Sequence, residues 1–173
     1  MSCSFPLSFL LSFYTSKKKI KECFLTNCLF FVLLSALFSG WCWCLTDSAV
    51  AYSMQRVDLC LVGAEGVVES GGVVNMLGTY QLAIVAKACK TPLYVATETF
   101  KFARLYPLSQ NDLPQRFMHV NLDLEEDDVA DNAMSCEAAV CDYTPPEYIT
   151  LMFTDVGVLT PSAVSDELIK LYT

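Results

Sequence analysis

Histidine occurs once in this 173-residue chain, as His119. Any Ser–His–Asp or Cys–His site would have to use it. It lies in Arg116-Phe117-Met118-His119-Val120 with no nucleophile motif nearby, and it reads as a surface or structural residue. Basic residues are scarce, 11 against 19 acidic ones, giving a net charge of −8 and a pI near 4.5. A broad basic surface for nucleic acid is thereby excluded. No C-x2-C or H-x3–5-H pair exists, because Cys42-Trp43-Cys44 and Cys136–Cys141 have the wrong spacing for zinc. G-x-G-x-x-G and G-x-x-x-x-G-K-[ST] are missing, which removes the dinucleotide and P-loop fingerprints. The acidic stretch Asn121–Asp131 lacks the glycine and terminal glutamate of a calcium loop and reads as a solvated loop. There is no internal repeat, and no metal or cofactor is expected.

What is present divides the chain in two. Residues 1–46 carry four lysines against Glu22 alone, a net +3; residues 47–173 carry 7 basic and 18 acidic residues, a net −11. The whole is 54% hydrophobic with a mean hydropathy of +0.41, which excludes a wholly disordered chain. Nine cysteines, an odd number without regular spacing, give no disulfide framework. Cys60 and Cys89 sit in apolar runs and read as small core hydrophobes in a reducing compartment.

In the first part, Cys23–Leu45 runs 23 residues without a charge. At ~1.5 Å per residue a helix of that length spans a bilayer of ~30 Å. Trp41 and Trp43 would mark one interface and Lys17–Lys21 the other. That is one expectation, a membrane anchor. It would place the acidic part outside the cytosol, where unpaired thiols are unusual. The other expectation is that residues 1–46 are not an evolved structural element but a non-native exon or altered gene model.

From Asp47 the texture is that of an α/β protein. Ser48–Gln55 reads as the end of a helix. Val57–Val62, Leu93–Ala96 and Ile149–Thr154 read as buried parallel strands. Val73–Lys90 reads as a helix with Val73, Leu77, Ile84 and Ala88 on its buried face. Thr160 and Pro161 suit the start of a closing helix, Ser162–Leu171, that buries Val164, Leu168 and Leu171. Strand, helix, strand, loop, strand, helix is the order of a partial Rossmann-like open parallel sheet with flanking helices. Ligands of such sheets bind at the carboxyl ends of strands. Two places fit: Gly63–Gly72 with the start of the next helix, and Asp155–Thr160. Glu65 and Glu69 are candidates for an acid/base pair there, against the alternative that both are solvated.

Val57-Asp58-Leu59-Cys60-Leu61-Val62-Gly63-Ala64-Glu65-Gly66-Val67-Val68-Glu69-Ser70-Gly71-Gly72, then Asn75, Leu77-Gly78-Thr79 and Ala86-Lys87-Ala88, closely resemble the alpha-type members of the eukaryotic translation initiation factor 2B family. So do Phe100-Lys101-Phe102, Arg104–Leu108 and the ending Phe153–Tyr172. The resemblance covers about Asp47 to Thr173, so the expected division is 1–46 as an unrelated head and 47–173 as an incomplete C-terminal Rossmann-like domain, a truncated or alternative form. It implies a non-catalytic regulatory or scaffold subunit of a guanine-nucleotide exchange complex in the cytosol. Implied partners are the beta and delta subunits, a second copy through the C-terminal domain, and initiation factor 2, whose phosphorylated form the complex senses under stress.

The same wider family contains sugar-phosphate isomerases, the alternative activity. Those enzymes typically carry G-A-D-R, N-G-D and N-K-I-G-T here. By resemblance their first aspartate falls on Glu65, the second on Gly72, and the phosphate-holding lysine on Met76. Their catalytic cysteine belongs to a segment upstream of the matched region. Loss of catalysis is therefore implied, with a vestigial sugar-phosphate pocket at Gly63, Ala64, Glu65 and Asn75. Loss of the family's early strands would expose Val57–Val62 as an apolar edge and leave the chain poorly stable.

Overall fold

The computed structural model describes residues 23–26, 31–35, 41–114 and 139–171. The head contributes three short strands, β1 (Cys23–Thr26), β2 (Phe31–Ser35) and β3 (Trp41–Leu45). A 3-10 turn at Asp47–Ala49 leads into α1 (Val50–Met54), then β4 (Leu59–Val62), β5 (Gly66–Val68) and β6 (Val73–Met76). Next come α2 (Thr79–Ala88), β7 (Leu93–Ala96), β8 (Phe102–Ala103), β9 (Cys141–Thr144), β10 (Leu151–Thr154), β11 (Gly157–Leu159) and α3 (Val164–Leu171).

Two sheets result. The larger has the order β11-β10-β7-β4-β1-β2-β3. Its centre, β10-β7-β4-β1, is parallel, while β11 and the β2-β3 pair are antiparallel. The smaller sheet, β8-β5-β6-β9, is mostly antiparallel. The α/β class and the parallel strands at 59–62, 93–96 and 151–154 follow the sequence reading. Leu93, Val95, Met152, Cys60 and Val62 are all at most 1% exposed, which is why those runs carry so few polar residues. Val50 and Met54 of α1, Leu82, Ala83 and Ala86 of α2, and Val164 and Leu168 of α3 complete the same core.

Several expectations change. Cys23–Leu45 is not a single helix; its segments pair as strands, Cys23–Thr26 lying parallel to Leu59–Val62. Among the described residues no helix is long and apolar enough to cross a membrane. The aromatic-rich segments satisfy their backbone through a ladder rather than within a helix, as such residues favour. The β4 edge expected to lie bare is consequently paired on both sides, with β7 and β1.

The expected helix from Val73 starts only at Thr79. Val73 and Val74 instead pair with Thr144 and Tyr143. Gly78, at φ +104°, turns the chain in a left-handed conformation that ends β6 and opens α2. The buried face of α2 is also rotated from the expected one. Leu82, Ala83 and Ala86 face the core, while Leu77 and Ile84 are exposed. In α3, Val164 and Leu168 are buried as expected but Leu171 is exposed. Cys60 is fully buried, its thiol 3.6 Å from Met54 Sδ, whereas Cys89 lies exposed at the end of α2.

Candidate functional site

The site is built where β4 ends and the smaller sheet begins. After Val62, Gly63 and Ala64 turn the chain so that the Glu65 N–H donates to the Val74 carbonyl at 2.9 Å and β5 starts against β6. Ala64 is buried and Glu65 exposed. Lys101, arriving from beyond β7, donates from Nζ to the Ala64 carbonyl at 2.7 Å. Sequence reasoning did not find Lys101. Its signal was present, as the lone cation in the aromatic run Phe100-Lys101-Phe102.

Asn75 is buried on β6, but its amide is occupied. Nδ2 donates to Thr79 Oγ1 at 3.0 Å, and that hydroxyl donates to the Met76 carbonyl at 2.7 Å. Asn75 thereby pins the turn between β6 and α2. Glu65 and Glu69 do not converge. They flank β5 at opposite ends, about 13 Å apart at ~3.3 Å per residue. Asp155, in the second expected place, accepts the Thr99 N–H and hydroxyl, both at 2.8 Å. Desolvation opposes ionisation there, but those bonds outweigh it and hold the carboxyl below its ordinary value. Gly157–Leu159 form β11, and Thr160 is then the N-cap of a 3-10 turn, Pro161–Ala163, that leads into α3 as the sequence suggested.

The β5–β6 hairpin is seated tightly. A Cβ at Gly71 would lie 2.1 Å from the Pro161 carbonyl oxygen, so this approach of two backbones requires glycine. A Cβ at Gly72 would lie 2.5 Å from Tyr143 Cε2 and 2.6 Å from Tyr143 Oη. Tyr143 is itself buried, with Oη 3.3 Å from Ser70 Oγ. The space an aspartate at position 72 would need is therefore filled by a phenol.

Asp142 is the residue that sequence reasoning missed most completely. It is the register partner of Asn75 across β6 and β9, and only 6% exposed. Its Oδ2 accepts the Gly78 N–H at 2.8 Å and the Tyr80 N–H at 2.9 Å. An internal carboxylate thus takes the free backbone donors at the start of α2, where an external anion would otherwise be attracted. Its Oδ1 is buried without a hydrogen-bond partner. Burial pushes the carboxyl up to about 6, against the opposing pull of the Tyr80 and Gly78 N–H groups. One acid in the short run Cys141-Asp142-Tyr143-Thr144 gave little warning of this.

His119 and the acidic stretch Asn121–Asp131 lie outside the described residues. Among the described residues, no three His, Cys, Asp or Glu side chains converge as a metal site would require.

Residues 42–161 match the model of the Initiation factor 2 subunit family. The chain is 51% identical over 140 residues to "Translation initiation factor eIF2B subunit alpha" of Dictyostelium discoideum, covering 73% of this chain and 41% of that one. It is 47% identical over 126 residues to the protein of the same name from Caenorhabditis elegans, covering 73% and 40%. The crystal structure of 5-methylthioribose 1-phosphate isomerase from Pyrococcus horikoshii OT3 superposes with a TM-score of 0.57 at 27% identity, covering 74% of this chain and 36% of that one. The chain therefore spans about two fifths of the length of the curated relatives it matches.

Proposed function

Because this chain belongs to the Initiation factor 2 subunit family, we propose that it is a non-catalytic regulatory or scaffold subunit of the initiation factor 2B guanine-nucleotide exchange complex. In that role residues 47–173 contribute to complex assembly in the cytosol and to sensing phosphorylated initiation factor 2. The observation that carries this reading is the 51% identity to a protein named as the alpha subunit. The site agrees with a non-catalytic role. Position 72 holds glycine under the Tyr143 ring, and position 76 holds an uncharged methionine. The isomerase relatives would need an aspartate and a lysine there.

Co-expression with tagged beta and delta subunits tests the proposal. Recovery of the 173-residue chain in the purified complex is expected. Its absence, with the chain soluble, would overturn the reading.

A sugar phosphate held without turnover at Gly63, Ala64, Glu65 and Asn75 is a second reading. It is favoured by Lys101, whose ammonium sits at the Ala64 carbonyl and supplies a cation that Met76 does not. Titration calorimetry with an aldose 1-phosphate should then show binding that Lys101→Ala weakens about tenfold, consistent with loss of one charge-assisted contact. Equal binding by both proteins would refute it.

A further inference from the structure

Among the described residues, β9 is an edge strand of the smaller sheet. At Tyr143 that edge is paired by a side chain. Gln110 Oε1 accepts the Tyr143 N–H and Gln110 Nε2 donates to the Tyr143 carbonyl, both at 2.7 Å. A strand residue facing Tyr143 would make the same double exchange in an antiparallel ladder. The turn that carries Gln110 is braced internally. Asp112 Oδ2 accepts the Leu108 N–H at 3.0 Å, the Ser109 N–H at 2.8 Å and the Ser109 hydroxyl at 3.1 Å. Leu105 and Leu113, on either side of the turn, pack in the cluster that holds Val68, Val74 and Tyr143. The Leu105 carbonyl also accepts the Glu69 N–H at 3.2 Å, just past β5. Residues 105–113 therefore form a strap that starts beside β5 and reaches the β9 edge.

We propose that Gln110 is a removable latch, and that lifting the strap opens the β9 edge to strand addition by β9 of a second copy of this chain. Gln110 lies on an exposed turn. Its two bonds to Tyr143 are neutral ones, whose net worth is modest, and holding a glutamine side chain in one rotamer costs entropy. A segment held in this way opens locally, well before the buried strands do. The occupant follows from the geometry of the edge. Tyr143 presents its N–H and its carbonyl to the same side, where Gln110 takes both. Two copies of β9 related by a two-fold axis can therefore pair Tyr143 with its counterpart through two identical bonds. A neighbouring strand lies about 4.8 Å away, so the turn must lift together with its latch. In the latched state the strap is an autoinhibitory contact that keeps this edge from pairing.

The device is independent of the family role and of the sugar-phosphate reading. Residue-resolved amide hydrogen exchange of the 173-residue chain, at low and at high protein concentration, tests it. In the wild type the Tyr143 amide should be protected to the same degree at both concentrations. At low concentration Gln110→Ala should cut that protection at least about tenfold, as expected for loss of a pair of neutral hydrogen bonds. The Leu82 amide, bonded to the Gly78 carbonyl in α2, should keep its wild-type protection and so report an intact fold. At high concentration the Tyr143 protection of the variant should return, because a second copy now supplies the pair. Asn111→Ala, one residue along the same turn, should behave as wild type. Should Gln110→Ala fail to fold, Gln110→Glu takes its place. It keeps the side-chain length but sets a carboxylate against the Tyr143 carbonyl, so it should show the same loss and the same recovery. Tyr143 protection that neither substitution lowers, protection that is lost and does not return at high concentration, or concentration dependence already present in the wild type would overturn the proposal.

Discussion

Replacing Asp142 with asparagine keeps the shape of the side chain and removes its charge, which makes the energetics of the α2 start measurable. The folded-state value rises from 3.8 to about 6 because burial opposes ionisation more strongly than the Gly78 and Tyr80 N–H groups favour it. A shift of that size corresponds to about 3 kcal/mol. The folded protein holds the Asp142 proton more tightly than the unfolded chain does. Asp142 therefore adds stability below about pH 4, and that contribution is lost as pH rises through about 6. Above this range the ionised group is a constant burden. Urea unfolding of wild type and Asp142→Asn at intervals from pH 4 to 7.5 isolates the effect, because other carboxylates cancel in the difference. The variant should gain about 2 kcal/mol relative to wild type between pH 4 and 6.5, then hold level. A difference that is constant with pH would refute the assigned burial. One that moves in the opposite direction would mean that the two backbone bonds outweigh desolvation.

Two further outcomes follow from the geometry. Gly72→Asp should lower stability by about 1–3 kcal/mol through overpacking against Tyr143, and Tyr143→Ala should restore tolerance of the aspartate. Thermal melts of the two single variants and the double variant check this, and additive losses would refute it. Deleting residues 1–46 should strip β1 from the Leu59–Val62 edge and yield soluble oligomers or aggregate, read by size-exclusion chromatography with light scattering. A monodisperse monomer with an unchanged melting temperature would show that the pairing contributes nothing.

The strands that sequence reading found are those whose character is set locally. Leu59–Val62, Leu93–Ala96 and Leu151–Thr154 are buried apolar runs bounded by glycine, proline or polar residues, so their pattern announces them. The smaller sheet was missed because its strands have two to four residues and owe their form to distant partners. Val73–Met76 was absorbed into a helix because Val73 and Leu77 happen to fall at helical spacing. Its pairing with Cys141–Thr144 lies far away in sequence. Asp142 was illegible for the same reason, since only the meeting of β9 with the α2 start makes its carboxylate a cap. Gly63, Ala64, Glu65 and Asn75 were found from motif resemblance, but the hydrogen bond that occupies Asn75 was not.

The order of strands in the larger sheet also sets a timetable for synthesis. β1 leaves the ribosome before β4, so the Leu59–Val62 edge meets a partner as soon as it emerges. β7 has no such advantage on its outer side, because Ala96 must wait for Leu151, 55 positions later, to be paired by β10. At ~5–20 residues per second that interval is about 3 to 11 s. During it, the bare backbone of Leu93–Ala96 is open to capture by another strand, as is that of Val73–Met76 until Cys141–Thr144 emerges to pair with it.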